Sequence, residues 1–297
     1  MSECTLCPRK CNVDRDGKKR GFCSESNTIR VARIAPHMFE EPCISGKNGS
    51  GTVFFSGCML RCVFCQNKDI SRPGGIGKSM SENELYAAII SLQEKGVHNI
   101  NLVSPTHFAH KLIPILERLK ASGNLTVPIV YNSSGYESVD TLKRLEGLVD
   151  IYMPDFKYFS SEIAKKYSQA PDYQSIASKA IVEMLRQTGR YKYSLGEPNI
   201  LKSGVIVRHL VLPSCRKDSL NVIRHLSEIV DPKDILLSIM SQYTPSFAMD
   251  CPYSELKRRI TSFEYSSVVD FSVELGFEGF TQKKTSAVTD YTPDFTM

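Results

Sequence analysis

Six short β-rich runs recur along the chain, most of them separated by stretches of helical period. They are GTVFFSG (51–57), NINLVSP (99–105), VPIVYNS (127–133), DIYMPDFKY (150–158), VIVRHLVLP (205–213) and ILLSIMSQY (235–243). Several are almost continuously apolar, as in parallel strands covered on both faces. The first intervening helix is well marked. Ser81-x-x-Glu84 has the form of a capping box, Leu85, Ile89 and Leu92 recur on one face, and Gly96 stands where a C-terminal cap belongs. Further helical stretches are expected at 108–122, 138–147, 175–190, 217–229 and 253–265. Alternating β and α units predict an α/β fold, a partial TIM-type (βα)6 barrel of parallel strands over residues 51–282. Its chemistry is expected at the C-terminal ends of the strands.

The two ends of the chain lie outside this pattern. Residues 1–50 are rich in Cys, Gly and polar side chains, and read as a Cys-rich N-terminal extension packed beside the barrel. Residues 283–297 form a polar C-terminal tail, expected to be extended or frayed. The formal net charge of +5 is mild for 297 residues, and the basic side chains are scattered among acidic ones. That pattern argues against a nucleic-acid partner. No run approaches the ~18 apolar residues of a membrane helix, and the N-terminus has no apolar signal-peptide core. Ten cysteines in such a chain read as metal ligands rather than disulfides, which places it in the cytoplasm.

Three of those cysteines fall in GCMLRCVFCQN (57–67), just beyond the first run, with the spacing Cys58-x3-Cys62-x2-Cys65. Thiolates hold iron–sulfur clusters, and a [4Fe–4S] cube ordinarily takes four of them. Three from one loop leave an iron open to substrate or cofactor. The plainer readings are a zinc site completed by a distant His, or inert buried thiols. A zinc site usually draws its ligands in two separated pairs, which this trio fits poorly.

With Phe64 before the third Cys, the motif resembles the signature of the radical S-adenosylmethionine superfamily. Within it, CVFCQN and the strands beyond are most similar to the pyruvate formate-lyase activating enzyme group, over roughly residues 51–245. The whole chain, with its CTLCPRKCNV start, resembles the uncharacterised activating-enzyme homologues. The resemblance implies that S-adenosylmethionine chelates the open iron. Reductive cleavage then yields methionine and a 5'-deoxyadenosyl radical that abstracts hydrogen. It also implies an electron donor such as flavodoxin or ferredoxin, and a glycyl radical enzyme as a candidate partner. Phe64 and Asn67 of the motif are expected on the cofactor side.

The other strand ends admit two readings each. Asn132, Ser133 and Ser134 form a polar turn that is either an ordinary helix approach or, by the resemblance, part of the S-adenosylmethionine carboxylate site. Asp155 and Lys157, two apart in a strand, point to one face. They are a structural ion pair or, as in the matching D-x-K of the activating enzymes, active-site residues. Arg208 and His209 point to opposite faces of the fifth run, and His209 is taken as the cofactor-side residue. Gln242 and Tyr243 end the sixth run and are further candidates. The Gly-Gly-Glu stretch of the activating enzymes is replaced here by NLVSPTH, which leaves Ser104, Thr106 or His107 to substitute.

Cys4-x2-Cys7-x3-Cys11-x11-Cys23 reads as a second metal site, zinc or iron–sulfur, against the plainer reading of a reduced thiol-rich arm. Cys43, Cys215 and Cys251 are isolated and expected to be packing residues. The long polar insertion 159–203 is expected to act as a lid or docking element. Modification of a small molecule or peptide is the alternative to glycyl radical formation. An electron carrier or a zinc-binding interaction module is the alternative from outside enzymology.

Overall fold

The computed structural model describes residues 3–195 and 199–282, with Pro293 and Phe295 of the tail. Its strands are β1 (Ile29–His37), β2 (Ser50–Phe55), β3 (Lys78–Met80), β4 (Ile100–Val103), β5 (Ile129–Ser133), β6 (Ile151–Pro154), β7 (Lys192–Tyr193), β8 (Leu201–Leu210), β9 (Leu236–Met240) and β10 (Glu278–Thr281). The helices are α1 (Pro42–Ser45), α2 (Lys68–Ser71), α3 (Glu82–Glu94), α4 (Ala109–Ser122), α5 (Val139–Lys143), α6 (Ser161–Ser168), α7 (Tyr173–Thr188), α8 (Arg216–Ile229) and α9 (Ser262–Glu274).

The sheet order is β10-β9-β8-β6-β5-β4-β2-β1-β3, with β7 paired to β8. From β2 to β10 every pairing along this path is parallel, and the sheet stays open between an edge at β3 and an edge at β10. The expected partial barrel of parallel strands is thus observed, with a seventh parallel strand, β10, beyond the six read from the sequence. Its residues, Glu278 to Thr281, are largely exposed, so it lacks the apolar run that marks the others.

Strand alternation divides the core in two. Tyr131, Tyr152, Val205, Val207, Leu237 and Ile239 face the helices in the larger core. Val130, Ile151, Met153, Ile206 and Leu236 face inward, where Cys43 and Ile44 of α1 fill the space between them. Continuing the inward series toward the strand ends leads from Val130 to Asn132, from Met153 to Asp155, and from Ile206 to Arg208. Each inward row therefore changes from apolar to polar as it reaches the C-terminal end of the sheet.

Several expectations change. Residues 1–50 are not only a segment beside the barrel. β1 joins the sheet antiparallel to β2, and the segment that follows it enters the interior as α1. The helix expected at 253–265 is a 3-10 turn, Ser254–Lys257, followed by α9, whose start is set by the capping box Thr261-x-x-Glu264. The insertion 159–203 does not form a lid among its described residues. Its α7 buries Tyr173, Ala177, Ala180, Ile181 and Met184 in the helix-side core and so is part of the barrel wall. The expectation of a frayed tail lies outside the described residues except at Phe295, which is buried with its ring 5.4 Å from that of Phe54. No helix among the described residues is long and apolar enough to cross a membrane.

Candidate functional site

A cavity of ≈ 560 Å³ opens at the C-terminal ends of the parallel strands. Cys58, Cys62 and Cys65 line it together with Phe64, Asn67, Asn132, Ser133, Ser134, Asp155 and Lys157, which lie on three strand ends up to 99 residues apart. The cysteine loop follows β2 directly. Arg61 takes a left-handed φ of 55° between Cys58 and Cys62, which turns the chain back on itself. Arg72 holds this turn by donating to the carbonyls of Arg61 and Cys62 at 3.1 and 2.9 Å. The thiols already receive donors: Leu60 N–H to Cys58 Sγ at 3.3 Å, and Ser168 Oγ–H to Cys62 Sγ at 3.0 Å. Burial pushes the Cys65 thiol up to about 11 and raises that of Cys58. Phe64 closes one side, edge-on to Tyr167 and Tyr243.

Opposite the thiols lies a buried charged network. Arg208 donates from Nε to Asp155 at 3.0 Å and from Nη2 to Asn132 Oδ1 at 2.7 Å, and it approaches Glu40 at 3.4 Å. Lys157 Nζ donates to the other Asp155 oxygen at 2.6 Å. Asn101 donates to Glu40 at 3.1 Å. Burial pulls the Asp155 carboxyl up, but Lys157 and Arg208 outweigh it and hold the group below its usual value. Burial pushes Glu40 up to about 7; the charge of Arg208 opposes this and that of Glu41 reinforces it. Two carboxylates in one cavity are thus driven apart in acidity, a pattern that divides proton-holding from charge-holding roles.

A pH prediction follows from Glu40. Its folded value lies above the ordinary 4.5, so the stability it contributes is fully present below about 4.5 and is lost as pH rises through about 7. Glu40→Gln, which mimics the protonated form, should therefore gain on wild type between those values, by on the order of 2 kcal/mol at pH 8. Urea midpoints at pH 4.5 and pH 8 test it. An equal difference at both pH values refutes the assignment.

Gly135 explains why the third run ends as YNSSGY. Its φ is 74°, and an added Cβ would fall 2.0 Å from the Asp155 carbonyl oxygen. The turn after β5 therefore lies directly against β6 at the residue that carries the network.

Four candidate residues are placed away from the cavity. His209 does not line the cavity. Strand alternation turns it away, with Nδ1 bonded to the Phe156 carbonyl at 2.7 Å, and Arg208 takes the inward position. Of the NLVSPTH candidates only Ser104, at φ 56°, lines the cavity. Thr106 is bonded to Glu137 at 2.6 Å and His107 to the Ser56 carbonyl at 2.6 Å. Gln242 lines the cavity, whereas Tyr243 is directed to the Leu256 carbonyl. Glu40 was not foreseen. Its sequence signal, two acids before Pro42 at the start of α1, marks a helix entry but not a place inside a barrel.

The donor set suits an iron–sulfur cofactor and its ligand. Three thiols share one wall, and each thiolate of a cube binds its own iron, so they need not converge on a single ion. Among the described residues no three His, Cys, Asp or Glu side chains stand ready to hold one ion. Asn67 Oδ1 and Glu41 Oε2 are buried without hydrogen-bond partners, on residues that line the cavity. Each costs about 1–3 kcal/mol unless a donor reaches it. A ligand bearing N–H donors would remove that cost. The four N-terminal cysteines lie apart, around a second cavity of ≈ 10 Å³. There burial, with smaller contributions from the neighbouring thiols, pushes Cys7 up to about 12.

Comparison with known proteins gives four likenesses. Residues 52–195 match the family model described as the radical SAM superfamily. Over 281 residues the chain is 28% identical to an uncharacterized protein of Methanocaldococcus jannaschii, covering 92% of this chain and 75% of the relative. A radical SAM methyltransferase from Sphaerobacter thermophilus shares the fold with a TM-score of 0.53 at 14% identity, over 78% of this chain. The aligned part spans 65% of that methyltransferase, under two thirds of its length. A domain of a pyruvate-formate lyase-activating enzyme from Bacteroides vulgatus aligns with a TM-score of 0.40 at 10% identity, covering 59% of this chain and 91% of that one. That score is too low to support a structural argument.

Proposed function

We propose that this chain is a radical SAM enzyme, as the match of residues 52–195 to that superfamily's model supports, and that it abstracts a hydrogen atom from a polypeptide substrate presented at the mouth of the barrel. A backbone glycine of a partner enzyme is the favoured target. The observation that carries this reading is the meeting of the three-thiol loop with the β5 and β6 strand ends in one cavity. Cys58, Cys62 and Cys65 would hold a [4Fe–4S] cluster. When bound, that cluster supplies the electron that cleaves S-adenosylmethionine to methionine and a 5'-deoxyadenosyl radical.

The chain's own residues bind and orient. Ser134, whose hydroxyl rests 3.8 Å from Met59 Sδ, is loosely engaged and able to turn toward a carboxylate. Asn132 and Ser133 serve chiefly to hold the wall, the first through Arg208 and the second by accepting from Gly135 N–H at 3.2 Å. Lys157 and Arg208 keep Asp155 ionised beside the thiols. Phe64 and its aromatic neighbours exclude water on that side.

A polypeptide substrate is favoured because no described residue of the insertion 159–203 lines the cavity, while Met38 and Phe39 line it and remain about half exposed. An apolar rim of this kind suits a docking peptide better than a small polar metabolite. We place the protein in the cytoplasm with a flavodoxin or ferredoxin as its electron donor, in keeping with ten free cysteines. The test uses anaerobically reconstituted protein with dithionite and S-adenosylmethionine. 5'-Deoxyadenosine should form slowly without substrate, and deuterium should enter it from the protein fraction of cells grown on deuterated glycine. No cleavage by cluster-loaded protein overturns the enzyme reading. Deuterium arriving only from the low-mass fraction overturns the choice of substrate.

A further inference from the structure

We propose that Cys4, Cys7, Cys11 and Cys23 bind a single tetrahedral metal ion, zinc by ligand class, and that this ion fastens a brace on the loop carrying Cys58 and Cys62. All four cysteines line one cavity of ≈ 10 Å³. That is about the volume of one water-sized sphere, so it suits one ion better than a cube of irons and sulfides. Among the described residues no three candidate side chains already stand ready around one ion. An ion would draw the thiols to ~2.3 Å as their protons leave.

Three further observations favour an ion over a plain thiol-rich arm. The first is a buried cation without a direct ion pair. Arg15 lines the same cavity and is 1% exposed. Its guanidinium donates to the carbonyls of Ser26 and His107, and among the described residues it makes no ion pair. Glu25 lines the same cavity and lends some counter-charge, but its direct ion pair is with Arg30 at 3.0 Å, and a buried charge without a direct partner is costly. Four thiolates around a divalent ion carry a net charge of −2 and would supply one. The second is the backbone beside the thiols. Lys10, Asn12 and Ser24 adopt φ of 40°, 51° and 66°, left-handed values that ordinary residues keep only where the surroundings over-determine them. Phe22 N–H, freed by its turn, points at Cys11 Sγ at 3.3 Å. The third is the size of the arm's own core, which is Leu6 and Val13 with Cys4 and Cys11. That is too little apolar surface to order some twenty residues unaided.

The arm reaches the cluster loop at several points. Arg9 donates to the carbonyls of Met59 at 2.9 Å and Ser168 at 3.1 Å, and Ser168 in turn bonds Cys62 Sγ. Phe22 lies between two guanidinium groups, with Arg9 4.0 Å and Arg61 4.5 Å from its ring centre, and Arg61 also bonds the Phe22 carbonyl. Gly57, the residue before Cys58, has φ 84°, and a Cβ there would fall 2.8 Å from the Cys23 carbonyl oxygen. The loop is thus moulded on the backbone of a proposed ligand. The bracing role, unlike the ion itself, rests on the function proposed above.

The test uses the full chain. The triple variant Cys58→Ala/Cys62→Ala/Cys65→Ala should retain one zinc per chain and no iron, and Co²⁺ added to its metal-free form should give the intense visible bands of a tetrahedral thiolate site. Adding Cys4→Ser and Cys7→Ser should abolish both signals. No tightly bound metal in the triple variant overturns the ion, and about four retained irons mean a second cluster instead. For the brace, Phe22→Ala should keep its zinc yet speed amide exchange over 57–62 by about tenfold. Unchanged exchange with zinc in place overturns the brace alone. Neither readout depends on S-adenosylmethionine cleavage, so a failure here is distinct from a failure of the enzyme reading.

Discussion

Cys62→Ala should abolish the reducible cluster outright, taking iron in the barrel from about four per chain to near zero and 5'-deoxyadenosine formation to background. Cys62 is the most buried of the three loop thiols. It is tied to the barrel wall by Ser168 and to its own loop by the Cys65 N–H, which donates to its carbonyl at 3.1 Å. Loss of one thiolate leaves two, which cannot hold a cube against solvent. The fold should survive, since a buried Cys→Ala change removes one sulfur and leaves the apolar layers intact. Visible absorption and electron paramagnetic resonance of reconstituted protein report the cluster, and circular dichroism reports the fold. A full cluster signal in this variant would sink the assignment of the loop.

Arg208→Met should carry the largest stability cost among the inward-facing residues, about 3–5 kcal/mol, as expected when one member of a buried ionic network is removed. Arg208 serves Asp155, Asn132 and Glu40 at once, and its side chain is 15% exposed. Its loss leaves Lys157 as the sole cation facing Asp155 in the network and leaves Glu40 without one. Because Glu40 can take up a proton, the cost should shrink below about pH 7 and grow above it. Adding Glu40→Gln should recover part of it, and a double-mutant cycle in urea measures the coupling. A cost below about 1 kcal/mol at pH 8 would mean that the network is solvated and weak.

The features legible in the sequence were those written within one stretch of chain. The thiol spacing of the cluster loop, the capping box at Ser81 and Glu84, and the Asp155–Lys157 pair on one strand face all depend on neighbours a few residues apart. Strand alternation also established that only one of Arg208 and His209 faces inward. It could not say which, because that depends on how β8 is seated against β6 and β9. The helix expected at 253–265 lies nine residues further on, as α9, where the Thr261–Glu264 capping box starts it.

By itself, then, the sequence determined the parallel α/β architecture, the three-thiol loop, and the end of the sheet where that loop lies. The tertiary structure decided what stands opposite the thiols. Glu40 meets Arg208 across 168 residues of chain, and Arg15 reaches the His107 carbonyl across 92. Periodicity and capping act within a few residues, whereas a buried charge finds its partners only after the sheet has curved and α1 has entered its interior.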